Sequence, residues 1–244
     1  MKYISLGYFC SVAIELEKLG LRSESSPFDW VISDFEGVMM AIQEQFSNFL
    51  DYEYLQQDKS KHEIYKNIKY NIKFFHDFDK YLSLDEQLPG VKEKYTRRIN
   101  RFYKSIAEPT LFIRYISDEE KLNSKSVELS WIENNYEQIL TTLKSFNKEN
   151  DILFIANEGV YSEKFVIYNV QKDEDDVVAR NPIHKNIALY DKFSNVDHPG
   201  KQANINRYNK KQKVNESVYN RIYRKATKII KLIFLREYIH DSQY

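Results

Sequence analysis

Thr110-Leu111-Phe112-Ile113-Arg114-Tyr115, then Val127–Phe146, then Ile152-Leu153-Phe154-Ile155-Ala156, is the stretch whose reading decides the fold. Both short runs are continuously apolar through their centres, as strands covered on both faces should be. The long segment between them carries apolar residues at helical spacing. A strand, a helix and a second strand in this order predict a right-handed parallel crossover. Lys164–Val170 reads as one more strand, and Lys172–Pro182 as an acidic loop.

Working outward, Tyr3–Leu6 predicts a short strand ended by Gly7, and Cys10–Leu19 a helix. Val12, Ala13, Leu16 and Leu19 share one face of that helix, and Gly20 supplies its stop. Ser25–Trp30 is a loop, because Pro27 excludes its predecessor from helical geometry. Phe35–Phe46 reads as a second amphipathic helix, and Val91–Ile106 as an Arg-rich third. Ile68, Tyr70, Ile72 and Phe74 alternate with polar residues, the period of one strand with a wet face. The fold class expected is α/β: a three-layer α/β/α domain over residues 1–200, its sheet largely parallel with some antiparallel edge. Residues 201–244 are expected to form a basic helical extension, including an amphipathic helix at Glu216–Tyr238.

The 244 residues can bury a substantial core, and one large domain is the expectation. Acidic and basic residues cancel at 36 each, so no overall field points to nucleic acid. The distribution is uneven, with Lys and Arg concentrated after Gly200. A basic amphipathic helix at 216–238 would suit peripheral contact with an anionic membrane, or packing on the domain. A single cysteine excludes an internal disulfide. With neither a signal-peptide core at the N-terminus nor an apolar run near the roughly 20 residues of a membrane span, the expected location is the cytoplasm.

In open parallel sheets ligands sit beyond the carboxyl ends of the strands. The polar residues that follow the expected strands are Cys10, His76 with Asp77, Arg114, and Asn157 with Glu158. If the strands share one sheet and one direction, these side chains meet along one rim. Gly7-Tyr8-Phe9-Cys10 puts a thiol at a helix start, where free N–H groups and the helix dipole favour an anion. That place suits a nucleophile, or a bound phosphate beside the same N–H groups. It also suits a small thiol packing the helix. His76 has the position of a general base, with Asp79 or Asn157 better placed than Asp77 to orient it. Arg97, Arg98 and Arg101 read as a solvated helix face, whereas Arg114, straight after a buried strand, needs a partner or a ligand. One Cys and one His fall short of a zinc site, so no metal and no cofactor are expected.

Ile4-Ser5-Leu6-Gly7-x-x-Cys10, with Gly20-Leu21-Arg22-x-x-Ser25-Ser26-Pro27-Phe28-Asp29-Trp30, resembles a bacterial family of unknown function catalogued as papain-like cysteine peptidases. The resemblance extends through His76-Asp77-Phe78 to Leu111–Arg114, about two thirds of the chain. It implies Cys10 as nucleophile and His76 as base. It also implies a genomic setting among surface-polysaccharide genes. Gly7, Arg22, Ser26, Asp29, Trp30, Asp77 and Arg114 are the expected substrate-binding residues. A papain-like site places its His on an antiparallel sheet, which a parallel crossover after Pro109 does not supply.

Three functions follow. The first is a thiol-dependent hydrolase acting on a peptide, glycan or small-molecule substrate through Cys10 and His76. The second is a glycosyl- or phospho-transferase, holding phosphates at the Gly7–Cys10 turn and Arg114. The third is a non-catalytic protein that binds a membrane surface or a partner.

Overall fold

A computed structural model describes residues 1–59, 61–122, 124–174 and 176–212. In chain order come β1 (Lys2–Ser5), α1 (Ser11–Lys18), β2 (Val31–Ser33) and α2 (Phe35–Gln43). Three short strands follow, β3 (Leu55–Gln57), β4 (Tyr65–Asn67) and β5 (Ile72–Phe74), and then α3 (Leu84–Ile106). The remainder is β6 (Thr110–Tyr115), β7 (Lys121–Leu122), β8 (Lys125–Ser126), α4 (Val127–Phe146), β9 (Asp151–Asn157), β10 (Ile167–Val170), α5 (Pro182–Lys185) and α6 (Ile187–Ser194). Residues 201–212 are helical. The expected helix at 216–238 lies outside the described residues.

The central sheet has the order β1-β6-β9-β10 and every neighbour pair is parallel. Its strands alternate between two cores, as the period of two requires. Leu111, Ile113 and Tyr115 join Leu153 and Ile155 under Val12 and Leu16 of α1, Ile183 of α5 and Phe193 of α6. Phe112, Ile152, Phe154 and Ala156 face the other way, onto Val38 of α2, Ile106 of α3 and Ile139 of α4. The α/β architecture with helices on both faces therefore follows from the apolar runs that predict it.

The antiparallel strands do not edge this sheet. They build a separate one, β2-β5-β4-β3, with β7 and β8 forming a small hairpin. The single strand expected across Ile68–Phe74 is also replaced, by two strands and a turn. Asn67 accepts a hydrogen bond from the Tyr70 N–H at 2.9 Å, and Asn71 takes a positive φ of 50°. The apolar alternation continues through that turn because the Tyr70 side chain is buried in the core, while its carbonyl lies so close to α2 that a Cβ on Gly37 would be 1.7 Å from it. Helix α3 starts earlier than Val91 because Ser83 and Glu86 form a capping box. Its N-terminal turns are polar and show little apolar period. Residues 201–212 pack on α1, with Asn204 Nδ2 donating to the Gly20 carbonyl at 2.9 Å and Lys211 Nζ 2.9 Å from Glu17. The boundary expected at residue 200 is thus crossed by close contacts.

Arg114 ties the two sheets together. It points to the α2–α4 side of β6 and is fully buried. Its Nη1 donates to the Leu6 carbonyl at 2.8 Å and to Ser33 Oγ at 3.1 Å, and Nη2 to the Ser33 carbonyl at 2.6 Å. Nε and Nη2 also donate to the two oxygens of Glu128, at 2.9 and 2.6 Å. Every donor of the guanidinium is used, so the expected role of Arg114 in substrate binding is corrected to a structural one. Replacing it by Met removes the charge partner of buried Glu128, which keeps only the Ser117 N–H at 3.3 Å, and takes a donor from each of two carbonyls. We predict a loss of about 3–5 kcal/mol for Arg114→Met, read by urea unfolding. Arg114→Lys should recover only a minor part, because an ammonium cannot span three partners in one plane. A Lys variant as stable as the parent contradicts this assignment.

Candidate functional site

The chain leaves β1 through Gly7, whose φ of +82° is left-handed. A Cβ there would lie 2.7 Å from Ser33 Oγ and 3.0 Å from Arg114 Nη1, so both conformation and space require glycine. Cys10 follows as the residue preceding α1, and its carbonyl accepts the Ile14 N–H at 2.9 Å. The thiol faces the core formed with Tyr8, Val12 and Leu16 and is only 4% exposed. Burial pushes its pKa up to about 12; a backbone hydrogen bond lowers it, the negative charge of Asp29 adds to the rise, and Arg22 offsets part. The lowering expected from the helix start is therefore reversed.

The loop after α1 is held by Arg22. Its Nε donates to the Ala13 carbonyl at 3.0 Å, Nη2 to Glu17 at 2.7 Å and Nη1 to Asp29 at 2.5 Å. The same Asp29 oxygen accepts the Ser26 N–H at 2.8 Å, closing the turn around Pro27. Arg22 and Asp29 thus fold the motif rather than face solvent. Burial raises the Asp29 pKa, and Arg22 and then the Ser26 N–H oppose it. Three buried oxygens in this region have no protein partner: Ser11 Oγ, Ser26 Oγ and Asp29 Oδ1. Buried polar atoms in this condition mark a place for water or ligand. Trp30 donates Nε1 to Ser25 Oγ at 3.2 Å and meets the His76 ring edge-on, with centroids 6.4 Å apart.

His76 is exposed just beyond β5 of the antiparallel sheet. The carboxylate of Asp77 turns away to α3, accepting from Tyr95 Oη at 2.9 Å and pairing with Lys94 Nζ at 2.5 Å. Asp77 therefore anchors the strand end to a helix, a correction to its expected substrate contact. Asp79 is exposed and accepts the Tyr81 N–H within its own turn. Asn157 lies at the end of β9, accepting from Tyr115 Oη at 2.6 Å and donating to Asp118 at 2.8 Å and the Val177 carbonyl at 3.0 Å. Those bonds tie Asn157 into the end of the parallel sheet and Asp79 into its own turn. The expected rim is split accordingly. Cys10, Arg114 and Asn157 belong to the parallel sheet, and His76 arrives on the other.

A second polar cluster at the carboxyl edge has no counterpart in the sequence reading. Tyr8, fully buried, donates its hydroxyl to Glu119. Burial lifts the Glu119 pKa to about 7; the Tyr8 hydrogen bond opposes the rise, Asp118 adds to it, and Lys73 and Lys172 oppose it more weakly. Ser117-Asp118-Glu119-Glu120 looks like an acidic loop in the sequence; only the turn of the chain at Gly7 puts Tyr8 against it.

Because the folded protein holds the Glu119 proton more tightly than the unfolded chain, this group's favourable contribution is complete below about pH 4.5. It is lost as pH rises through about 7. Glu119→Gln, which keeps an acceptor for Tyr8, should therefore stabilise the fold above pH 7 by about 1–3 kcal/mol and change little at pH 4. Thermal unfolding of both proteins across that range checks it; a pH-independent difference contradicts the buried carboxyl.

Among proteins of known sequence, the chain is similar to "Uncharacterized protein R408" of Acanthamoeba polyphaga mimivirus, 35% identical over 151 residues. The match covers 52% of this chain and 66% of the viral protein, so the chain spans just under two thirds of that relative. This relative is viral, and it carries no support for the bacterial setting that the sequence resemblance implies. No solved structure matches the chain. Among the described residues no helix is long and apolar enough to cross a membrane. A family model matches residues 1–156, which contain the Gly7–Cys10 turn, the Arg22–Trp30 loop and His76. The chain belongs to the family described as "Putative papain-like cysteine peptidase (DUF1796)".

Proposed function

We propose that the protein is a thiol-dependent hydrolase of peptide or related acyl bonds, with Cys10 as nucleophile and His76 as base. In this reading the structure is the covered, resting arrangement. The observation that supports it is the kind of element that carries each group. Cys10 precedes a helix, and His76 follows a strand of an antiparallel sheet with Trp30 against its ring. In the reaction His76 takes the thiol proton as Sγ bonds to the acyl carbon, and returns it to the leaving group. Water, deprotonated by His76, then releases the acid and restores the thiol. Ser26 Oγ and Asp29 Oδ1, buried without partners, are the polar groups that displacement of Trp30 would bring to a substrate.

The burial of Cys10 favours a second reading, a non-catalytic binding protein in which the thiol packs α1. Fluorogenic peptide and thioester substrates separate the two. As a hydrolase, the protein should lose at least about 10²-fold in kcat/KM in Cys10→Ser and in His76→Ala, with melting temperatures near the parent's. Trp30→Ala should speed alkylation of Cys10 by iodoacetamide. Hydrolysis by Cys10→Ala at the parent's rate would end the hydrolase reading.

A further inference from the structure

Residues 201–212 use their basic side chains to dock on the domain. Lys201 Nζ donates to the Ser194 and Val196 carbonyls at 2.6 and 2.8 Å, and Arg207 Nη2 to the Ser23 carbonyl at 2.9 Å. Lys211 Nζ lies 2.9 Å from Glu17, the carboxylate that also accepts from Arg22 at 2.7 Å. The chain therefore enters a strongly basic stretch, residues 213–238, beside the Arg22–Trp30 loop. That stretch lies outside the described residues, but the period and charge pattern of its sequence narrow what it can bind.

At about 100° per residue, Val218, Ile222, Ile229, Ile230, Ile233 and Phe234 fall on one arc, together with Tyr219 and Tyr223. Arg221, Arg224, Lys225, Lys228 and Lys231 fall on the opposite arc, where Leu232 is the one apolar residue among them. No Asp or Glu stands between Glu216 and Glu237, so none of these cations has an acid three or four positions away. They have one another at that spacing instead, and like charges so placed oppose a helix in water. Helix α3 shows the usual remedy, with Arg97 paired to Glu93 one turn before it.

The two arcs ask for different things from a partner. A groove on a protein would cover the isoleucines and leave the cations repelling one another. A polyanion such as nucleic acid would neutralise the cations and leave the isoleucines and Phe234 in water. An anionic bilayer meets both demands, taking the apolar arc below the headgroups and the cations among their phosphates. Tyrosine, present twice near the start of the stretch, is a residue type that settles at headgroup depth.

We propose that residues 218–234 bind the surface of an anionic lipid bilayer, as a helix lying in the plane of the interface, and hold the domain there. Residues 213–217 span about 20 Å at full stretch, so the attachment lies close to the Arg22–Trp30 loop. The proposal rests on neither reading of Cys10.

Flotation of the full chain with vesicles of phosphatidylcholine, with and without phosphatidylserine, tests it. Partition should be at least tenfold stronger onto the vesicles that contain phosphatidylserine, and should fall as salt is raised. Lys225→Glu with Lys228→Glu should weaken that partition at least tenfold. Ile229→Ser with Ile233→Ser should do the same, and both double variants should melt at the parent's temperature. No partition, or equal partition onto both kinds of vesicle, overturns the proposal. So does full binding by the Ile→Ser pair, the behaviour of a segment that reads a polyanion by charge alone. A lowered melting temperature in the Ile→Ser pair with vesicle binding unchanged also overturns it, since the apolar arc then packs on the domain. Both pairs of substitutions leave Cys10 and His76 in place, so loss of vesicle binding and loss of hydrolysis are independent outcomes.

Discussion

A single buried guanidinium holds the two sheets in register. Arg114 stands at the end of the second strand of the parallel sheet and binds the last carbonyl before Gly7, the end of β2 and the first turn of α4. Left without partners, a buried charge of this kind costs several kcal/mol; with all its donors used, it permits only one arrangement of the three elements. Gly7 follows from the same constraint, since Arg114 Nη1 and Ser33 Oγ occupy the space where any side chain would begin. The first residue of the Gly-x-x-Cys turn is therefore set by packing against Arg114 before any chemistry is considered.

The same comparison of magnitudes decides the state of Cys10. A helix start favours an anion by about 0.3–1 kcal/mol. Raising a thiol from its ordinary value near 9 to about 12 disfavours the thiolate by about 4 kcal/mol. Burial wins, and the thiol is protonated in this arrangement. Position relative to a helix is visible in a sequence; depth below the surface depends on α5, α6 and the Arg22–Trp30 loop, whose packing is not. Glu119 obeys the same rule in the other cluster, its proton held chiefly by burial, with the neighbouring Asp118 adding to the effect.

The strand–helix–strand unit from Thr110 to Asn157 was legible because its strands are covered on both faces and carry an unbroken apolar signal. The hairpin at Tyr65–Phe74 was not, because Tyr70 preserves the alternation while the backbone turns beneath it. The site divides in the same way. The Trp30 and His76 rings meet edge-on, a contact that 46 positions of separation in the sequence do not announce. Arg114 was recognised as a charge in need of a partner, but its partners Ser33 and Glu128 lie 81 and 14 residues away, and nothing local identifies them. Asp77 and Asn157 were misread for a related reason: a polar residue at a strand end can serve a ligand or anchor the strand, and the tertiary neighbours Tyr95, Tyr115 and Asp118 decide which.

These connections give the antiparallel sheet a larger part than its short strands suggest. β2 ends at Ser33 under the Arg114 guanidinium and pairs with β5 from Val31↔Phe74 to Ser33↔Ile72. β5 carries Lys73 and leads directly into His76. A displacement of β2 would therefore carry β5 with it and shift the imidazole that rests beside Trp30. Keeping that displacement small is what the guanidinium accomplishes, and it does so from inside the parallel sheet. The position of β5, and of the imidazole that follows it, is thus imposed from a residue that touches neither Cys10 nor His76 in the hydrogen bonds it makes.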